Sequence, residues 1–173
     1  MTITATRSPV TLSTTNYISQ PVVIDPADGT AQDAFTAFAF NIPGHPPRTV
    51  DGQQALAETF AISITPVAQV RTGAVLTPGL LAHEQFHYDV GFVIARQLAR
   101  ELTRMRAPTV PQLAAALGAA VTLHFTTRAG LIQRRYDLDT RHGTNAHYQK
   151  IWSDRMRACL ADSNATQIGG FYL

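Results

Sequence analysis

The sequence predicts an α+β fold. An N-terminal, mostly antiparallel sheet packs on a helix carrying an H-E-x-x-H motif and on two further helices. Two observations predict it. Period-two alternation of apolar residues is confined to the chain before Thr77, and helical spacing takes over after it. The change falls on Thr77-Pro78, a pair suited to the N-cap and first position of a helix. The chain reads as a single domain over 1–173, strand-rich over 1–76 and helical over 77–163. At 173 residues, with 45% hydrophobic and 15% charged residues, it is long and apolar enough to bury a core, which excludes a disordered chain. The one cysteine, Cys159, excludes an internal disulfide and a multi-cysteine zinc module, and reads as a small buried hydrophobe.

Taken in order, Tyr17 to Ile24 is β-rich and broken by Pro21, and Asp25-Pro-Ala-Asp-Gly29 is a turn signal. Phe35 to Ile42 alternates, with Phe38, Phe40 and Ile42 on one face. Three prolines and a glycine make 41–48 a loop, with His45 solvated in it. Phe60, Ile62 and Ile64 define another strand, which Pro66 is expected to end, and Val70 to Leu76 suggests a further short one. The first helix then carries Leu80, Leu81, Val90, Val93, Ile94, Leu98, Leu102 and Met105 to its close at Ala107-Pro108. The second runs from Thr109-Val-Pro111 through Leu113, Leu117, Val121, Phe125 and Leu131 to about Arg135. The third starts near Thr144 with Ile151, Trp152, Met156 and Leu160 on its apolar face. Leu98, Leu102, Leu117, Val121, Phe125, Trp152 and Met156 are expected in the core.

The chemistry is concentrated in Leu80-Leu-Ala-His83-Glu84-Gln-Phe-His87. Residues four apart on a helix share a face, so the two imidazoles can converge on one metal ion, for which neutral imidazole is a good ligand. Glu84 is offset from that face and reaches a water on the metal instead, as a general base. With three glutamates and six histidines in the chain, chance supplies about 0.004 such matches. A catalytic zinc site usually has three protein ligands. None stands at a familiar spacing further along this helix, since Asp89 follows His87 by only two residues and points elsewhere. Candidates for the third ligand cluster in Tyr136-Asp137-Leu-Asp139-Thr140-Arg-His142-Gly143.

The two motifs together, His83-Glu84-x-x-His87 and then Tyr136-Asp137-x-x-Thr140-x-His142-Gly143, resemble the bacterial domain-of-unknown-function family 922 over roughly Phe60 to Trp152. Members of that family are described as predicted secreted zinc-dependent proteases. The motif and the resemblance together lead to the expectation of a zincin-like fold, one zinc ion per chain and a peptide or protein substrate. Within the second motif His142 is the first choice for third ligand, Asp137 the alternative, and Asp139 stands behind both. Tyr136 either offers its hydroxyl to the oxyanion or to a carboxylate behind the metal, or packs in the core. Thr140 caps or orients a neighbour. His124 reads as a satisfied buried histidine or a support behind the ligands, and His147 as a weaker competitor for the metal.

The resulting expectation is a zinc metallopeptidase with Glu84 as general base. The alternatives are a non-catalytic metal-binding or interaction module, and a zinc hydrolase of non-peptide amides. The strand Phe60 to Thr65 is a candidate edge for pairing with substrate. No nucleic-acid or membrane partner is expected. The net charge is +2, no apolar run approaches a membrane span, and the stripe Arg96, Arg100, Arg104 reads as a solvated helix face. The first residues show no charged n-region followed by an apolar h-region, so no secretory signal is expected in this chain.

Overall fold

The computed structural model describes residues 2–44, 46–56 and 59–173; His45 lies outside them. The arrangement is α+β. Its sheet is organised around β6 (Thr59–Arg71), a strand that is longer than the alternation of Phe60, Ile62 and Ile64 alone predicts. β1 (Thr2–Arg7) and β2 (Tyr17–Gln20) lie in tandem along one side, both parallel to β6, and β3 (Ala34–Asn41) runs antiparallel along the other. The sheet is therefore mixed, not mostly antiparallel. Strand direction here is set by the loops that return the chain, above all residues 21–33, and these carry no direction signal of their own.

Pro66 does not end the strand, and the register gives the reason. Ser8 N donates to Ile64 O, so even-numbered residues of β6 turn their backbone groups toward β1 and β2. β1 stops opposite Ile64 and β2 begins opposite Ala68. The missing N–H of Pro66 thus faces the gap between the two strands, where no ladder bond is lost. Val70 and Arg71 belong to the end of this same strand, not to a separate one.

The strand Phe60 to Thr65 is central, flanked by β1 and β3, and so offers no edge. β3 is one open edge, pairing with β6 alone among the described residues; β1 and β2 form the opposite edge. Smaller elements complete the sheet structure: β5 (Gln53–Ala55) lies between β4 (Arg48–Val50) and β7 (Arg106–Ala107), antiparallel to both. A terminal hairpin of β8 (Gln167–Ile168) and β9 (Phe171–Tyr172) turns on Gly169-Gly170, both at positive φ.

α1 (Pro78–Arg104) starts where the sequence predicts, with the Thr77 side chain accepting from Leu80 N and Pro78 in the first turn. It is the centre of the molecule. β1, β3 and β6 pack on it, as do the helices that follow in sequence. Residues 86–91 are buried without a break, so this stretch has no solvent face. Phe38 of β3 approaches so closely that a Cβ on Gly91 would lie 2.4 Å from its ring.

The second predicted helix is one continuous rod built of α2 (Val110–Val121), a π-helical stretch (Thr122–Arg128) and α3 (Ala129–Thr140). The π stretch is shown by Ala129 N donating to His124 O, five residues back. It shifts the buried face. About five turns of 3.6 residues would carry the face of Leu113 to position 131. The wider turn adds a residue, so Ile132 is buried instead and Leu131 is 45% exposed. Tyr136 and Thr140 follow on the same buried line. α4 (Ala146–Ala161) begins after an Asn145 N-cap and contributes Trp152 and Met156 to the core. Leu98, Leu102 and Phe125 are buried as expected, whereas Leu117 and Val121 pack on the core only partly buried.

The arginine stripe is not a solvated face. Arg96 donates to Cys159 O and Leu160 O, and Arg100 to Ser163 O and Ala165 O. Both satisfy carbonyls at and beyond the end of α4, where the helix dipole also favours a cation; Arg104 alone is exposed. No helix is long and apolar enough to cross a membrane among the described residues.

The close approach of α1 and β3 yields a stability test. Gly91→Ala drives a methyl into the Phe38 ring and is expected to cost about 1–3 kcal/mol in a urea melt, with the m-value unchanged.

Candidate metal centre

His83, Glu84 and His87 are carried into the interior by α1, with only 4%, 3% and 8% of each residue exposed. His83 Nε2 and His87 Nε2 are 3.3 Å apart. Asp137 Oδ1, from the last turn of α3, lies 3.3 Å from the first and 3.0 Å from the second. The three atoms converge on a common point. The triangle has the right size for an ion. Ligands about 2.0–2.1 Å from a tetrahedral centre stand about 3.3–3.4 Å apart. The group can therefore hold a metal ion.

The surroundings fix each ligand. His87 Nδ1 lies 3.2 Å from Gln133 Oε1, an acceptor, so in the neutral ring the proton belongs on Nδ1 and Nε2 offers its lone pair. The His83 ring is stacked on Tyr136, centroids 4.8 Å apart, and Tyr136 in turn on Phe86 at 3.8 Å. From the other side the backbone of Gly143 presses on His83, where a Cβ would meet Cγ at 3.1 Å. Gly143 has φ +80 and follows Arg141 and His142, both also left-handed at φ 50. Thr140 ties this turn to the helix by donating to Tyr136 O and accepting from Gly143 N.

Metal-free, the three groups hold protons unevenly. Burial pushes the His83 imidazolium down. Burial acts on His87 in the same sense, but the Asp137 and Glu84 charges outweigh it and hold that group up at about 9. Burial alone would raise the Asp137 carboxyl; the two imidazoles facing it bring it well below the usual carboxylate range. A proton thus occupies the place between negative groups that a cation would take.

The sequence candidates separate as follows. Asp137, not His142, is beside the histidine pair. His142 is on the turn, its side chain 39% exposed, in a second group with Asp25 and Asp137. Asp139 faces α4, accepting from Trp152 Nε1 and pairing with Arg135. Tyr136 is fully buried behind His83 and does not line the cavity, and its hydroxyl has no partner among the described residues. His124 is buried against Glu101 at 2.8 Å, remote from the centre in sequence and in partners. His147 is exposed on α4. Asp89 pairs with Arg7 and accepts from Gln85.

Glu84, His83, His87 and Asp137 open into a cavity of about 770 Å³ whose walls include Phe35 and Ala37 of β3, the 25–33 loop and the 142–144 turn. Glu84 Oε2 is buried with no hydrogen-bond partner among the described residues. Gln133 and Gly143 were legible only in part, Gln133 as the residue one turn before Asp137. Asp25, more than a hundred residues from Asp137, carried no signal beyond a turn. No protein-family model matches the chain, and no curated protein and no solved structure matches it.

Two substitutions test the geometry. Asp137→Ala should abolish tight divalent-metal binding in a calorimetric titration. Gln133→Ala, which frees the His87 ring to turn, should weaken it by about 10–100-fold with the fold retained.

Proposed function

We propose that the protein is a zinc-dependent metallopeptidase of zincin-like architecture, with His83, His87 and Asp137 as the protein ligands and Glu84 as the general base. The observation that carries the reading is the 3.0–3.3 Å triangle of Nε2, Nε2 and Oδ1, next to a buried carboxylate with an unpartnered oxygen in the same cavity. Two neutral imidazoles and one carboxylate suit zinc. Zinc held there supplies Lewis acidity, polarising a carbonyl and acidifying water to a pKa of about 7.

The chain's own residues do the rest. Glu84 takes the proton of the attacking water as hydroxide adds to the peptide carbonyl, then passes it to the departing nitrogen. Gln133 keeps His87 in the ligating tautomer. Tyr136, stacked behind His83, holds that ring and is a positioning residue. The substrate side is supplied by β3. Its odd residues pair with β6, opposite Gln69, Val67 and Thr65, so the backbone groups of Ala34, Thr36 and Phe38 point away from the sheet. An extended peptide adding to this edge runs across the cavity.

Glu84→Gln keeps the shape and hydrogen-bonding reach of the side chain but cannot accept the proton. It is expected to retain metal and thermal midpoint while peptide hydrolysis falls by about 10²–10⁴-fold. Casein cleavage at neutral pH, with and without chelator, is the first assay. Chelator-sensitive cleavage by wild type alone supports the reading; equal cleavage by both proteins, or none by wild type across a peptide library, overturns it.

A further inference from the structure

The geometry points to a second divalent-cation site beside the first, formed by Asp25 and His142 with Asp137 shared between the two. This rests on the assignment of Asp137 to the first site made above. One ligand atom each from Asp25, Asp137 and His142 lies within 4.8 Å of the other two. The three come from separate parts of the chain: the 25–33 loop, the end of α3 and the turn after it. All three line the one cavity.

Three features favour a cation over a chance cluster. The first is that the group is mixed. His142 brings an imidazole to two carboxylates, and Asp28 Oδ2 also stands 3.9 Å from its Nε2, beyond a hydrogen bond. The second is charge. Asp25 is only 8% exposed and Glu84 3%, and Arg134 is the sole Lys or Arg along the cavity among the described residues. Asp25, Glu84 and Asp137 thus face a single arginine, an excess of negative charge that favours cations in the cavity. The third is support. Asp25 is held by Ala27 N donating to its Oδ1 and by backbone bonds to Thr30 and Gly29. Its carboxylate is therefore fixed in place with no Lys or Arg paired to it among the described residues.

Exposure distinguishes the two sites. The first triangle closes at 3.0–3.3 Å among largely buried side chains, whereas the second includes His142, whose side chain is 39% exposed, so water can complete the shell of an ion there. A carboxylate shared by two ions is the arrangement of paired metal centres about 3.5–4 Å apart. The second ion is thus the weaker and more exchangeable one, held by imidazole and carboxylate as zinc or manganese would be.

Metal stoichiometry tests this without recourse to activity. Metal-free protein is titrated with Zn²⁺ by calorimetry, and metal content is measured on the saturated protein. Wild type is expected to bind two equivalents, the second at least tenfold more weakly. His142→Asn keeps a residue that tolerates the left-handed turn, and Asp25→Asn keeps the acceptor for Ala27 N. Each variant should bind one equivalent with the tight affinity unchanged within about threefold. Saturation of wild type at one equivalent overturns the second site and leaves the metallopeptidase reading standing. Two equivalents retained by both variants, or loss of the tight ion in His142→Asn, likewise overturns it. No zinc bound at all by wild type overturns the metallopeptidase reading itself.

Discussion

The structure depends on a helix whose middle is buried on every side and which carries ionisable groups into the interior. α1 lies under the sheet and against the later helices, and His83, Glu84 and His87 go into the interior with it. Ionisable groups removed from water are tolerated only where partners of complementary charge meet them. Asp137 and Gln133 of α3 are those partners. The packing of α3 on α1 and the assembly of the centre are thus one event: whatever moves α3 by a residue also dismantles the site.

This makes the π-helical stretch consequential. It adds a residue to the rod between Leu113 and Ile132, and so turns Tyr136 onto His83 and Asp137 onto both imidazoles. Beyond Thr140 the chain leaves the helix through three successive left-handed residues. The last of them, Gly143, is the residue type that both the positive φ and the contact with His83 require. Phe86, Tyr136 and Trp152 form an aromatic wall behind the ligands. His83 is held between the Tyr136 ring and the Gly143 turn, and His87 by Gln133, an arrangement that limits the freedom of both imidazoles.

The sheet serves the same centre from the opposite wall. β6 is long enough to carry β1 and β2 in tandem, and Pro66 falls where the tandem leaves a gap. β3 is left as an edge, with Phe35 and Ala37 along the cavity. Phe38 locks that edge to α1 at Gly91, so the distance between strand and histidines is set by ring-to-backbone contact.

Much was legible in the sequence because it is decided within a turn or two of chain. The Thr77-Pro78 start of α1, the alternation of β3, and the placing of His83 and His87 on one helical face follow from local geometry and the 3.6-residue period. The α+β order of elements followed as well. Other features depended on contacts between distant residues. The choice of Asp137 over His142 beside the histidine pair turned on a π turn that no residue pattern announces, since its extra residue is stabilised by what packs on it. The direction of β1 and β2, the central place of Phe60 to Thr65, and the burial of Arg96 and Arg100 on the carbonyls ending α4 were likewise decided by which surfaces met. Asp25 reached the cavity only because the 25–33 loop closes over it. The sequence determined which chemical groups the helices present; the tertiary structure alone decided which of them meet, because convergence across more than a hundred residues is a property of packing and not of any local period.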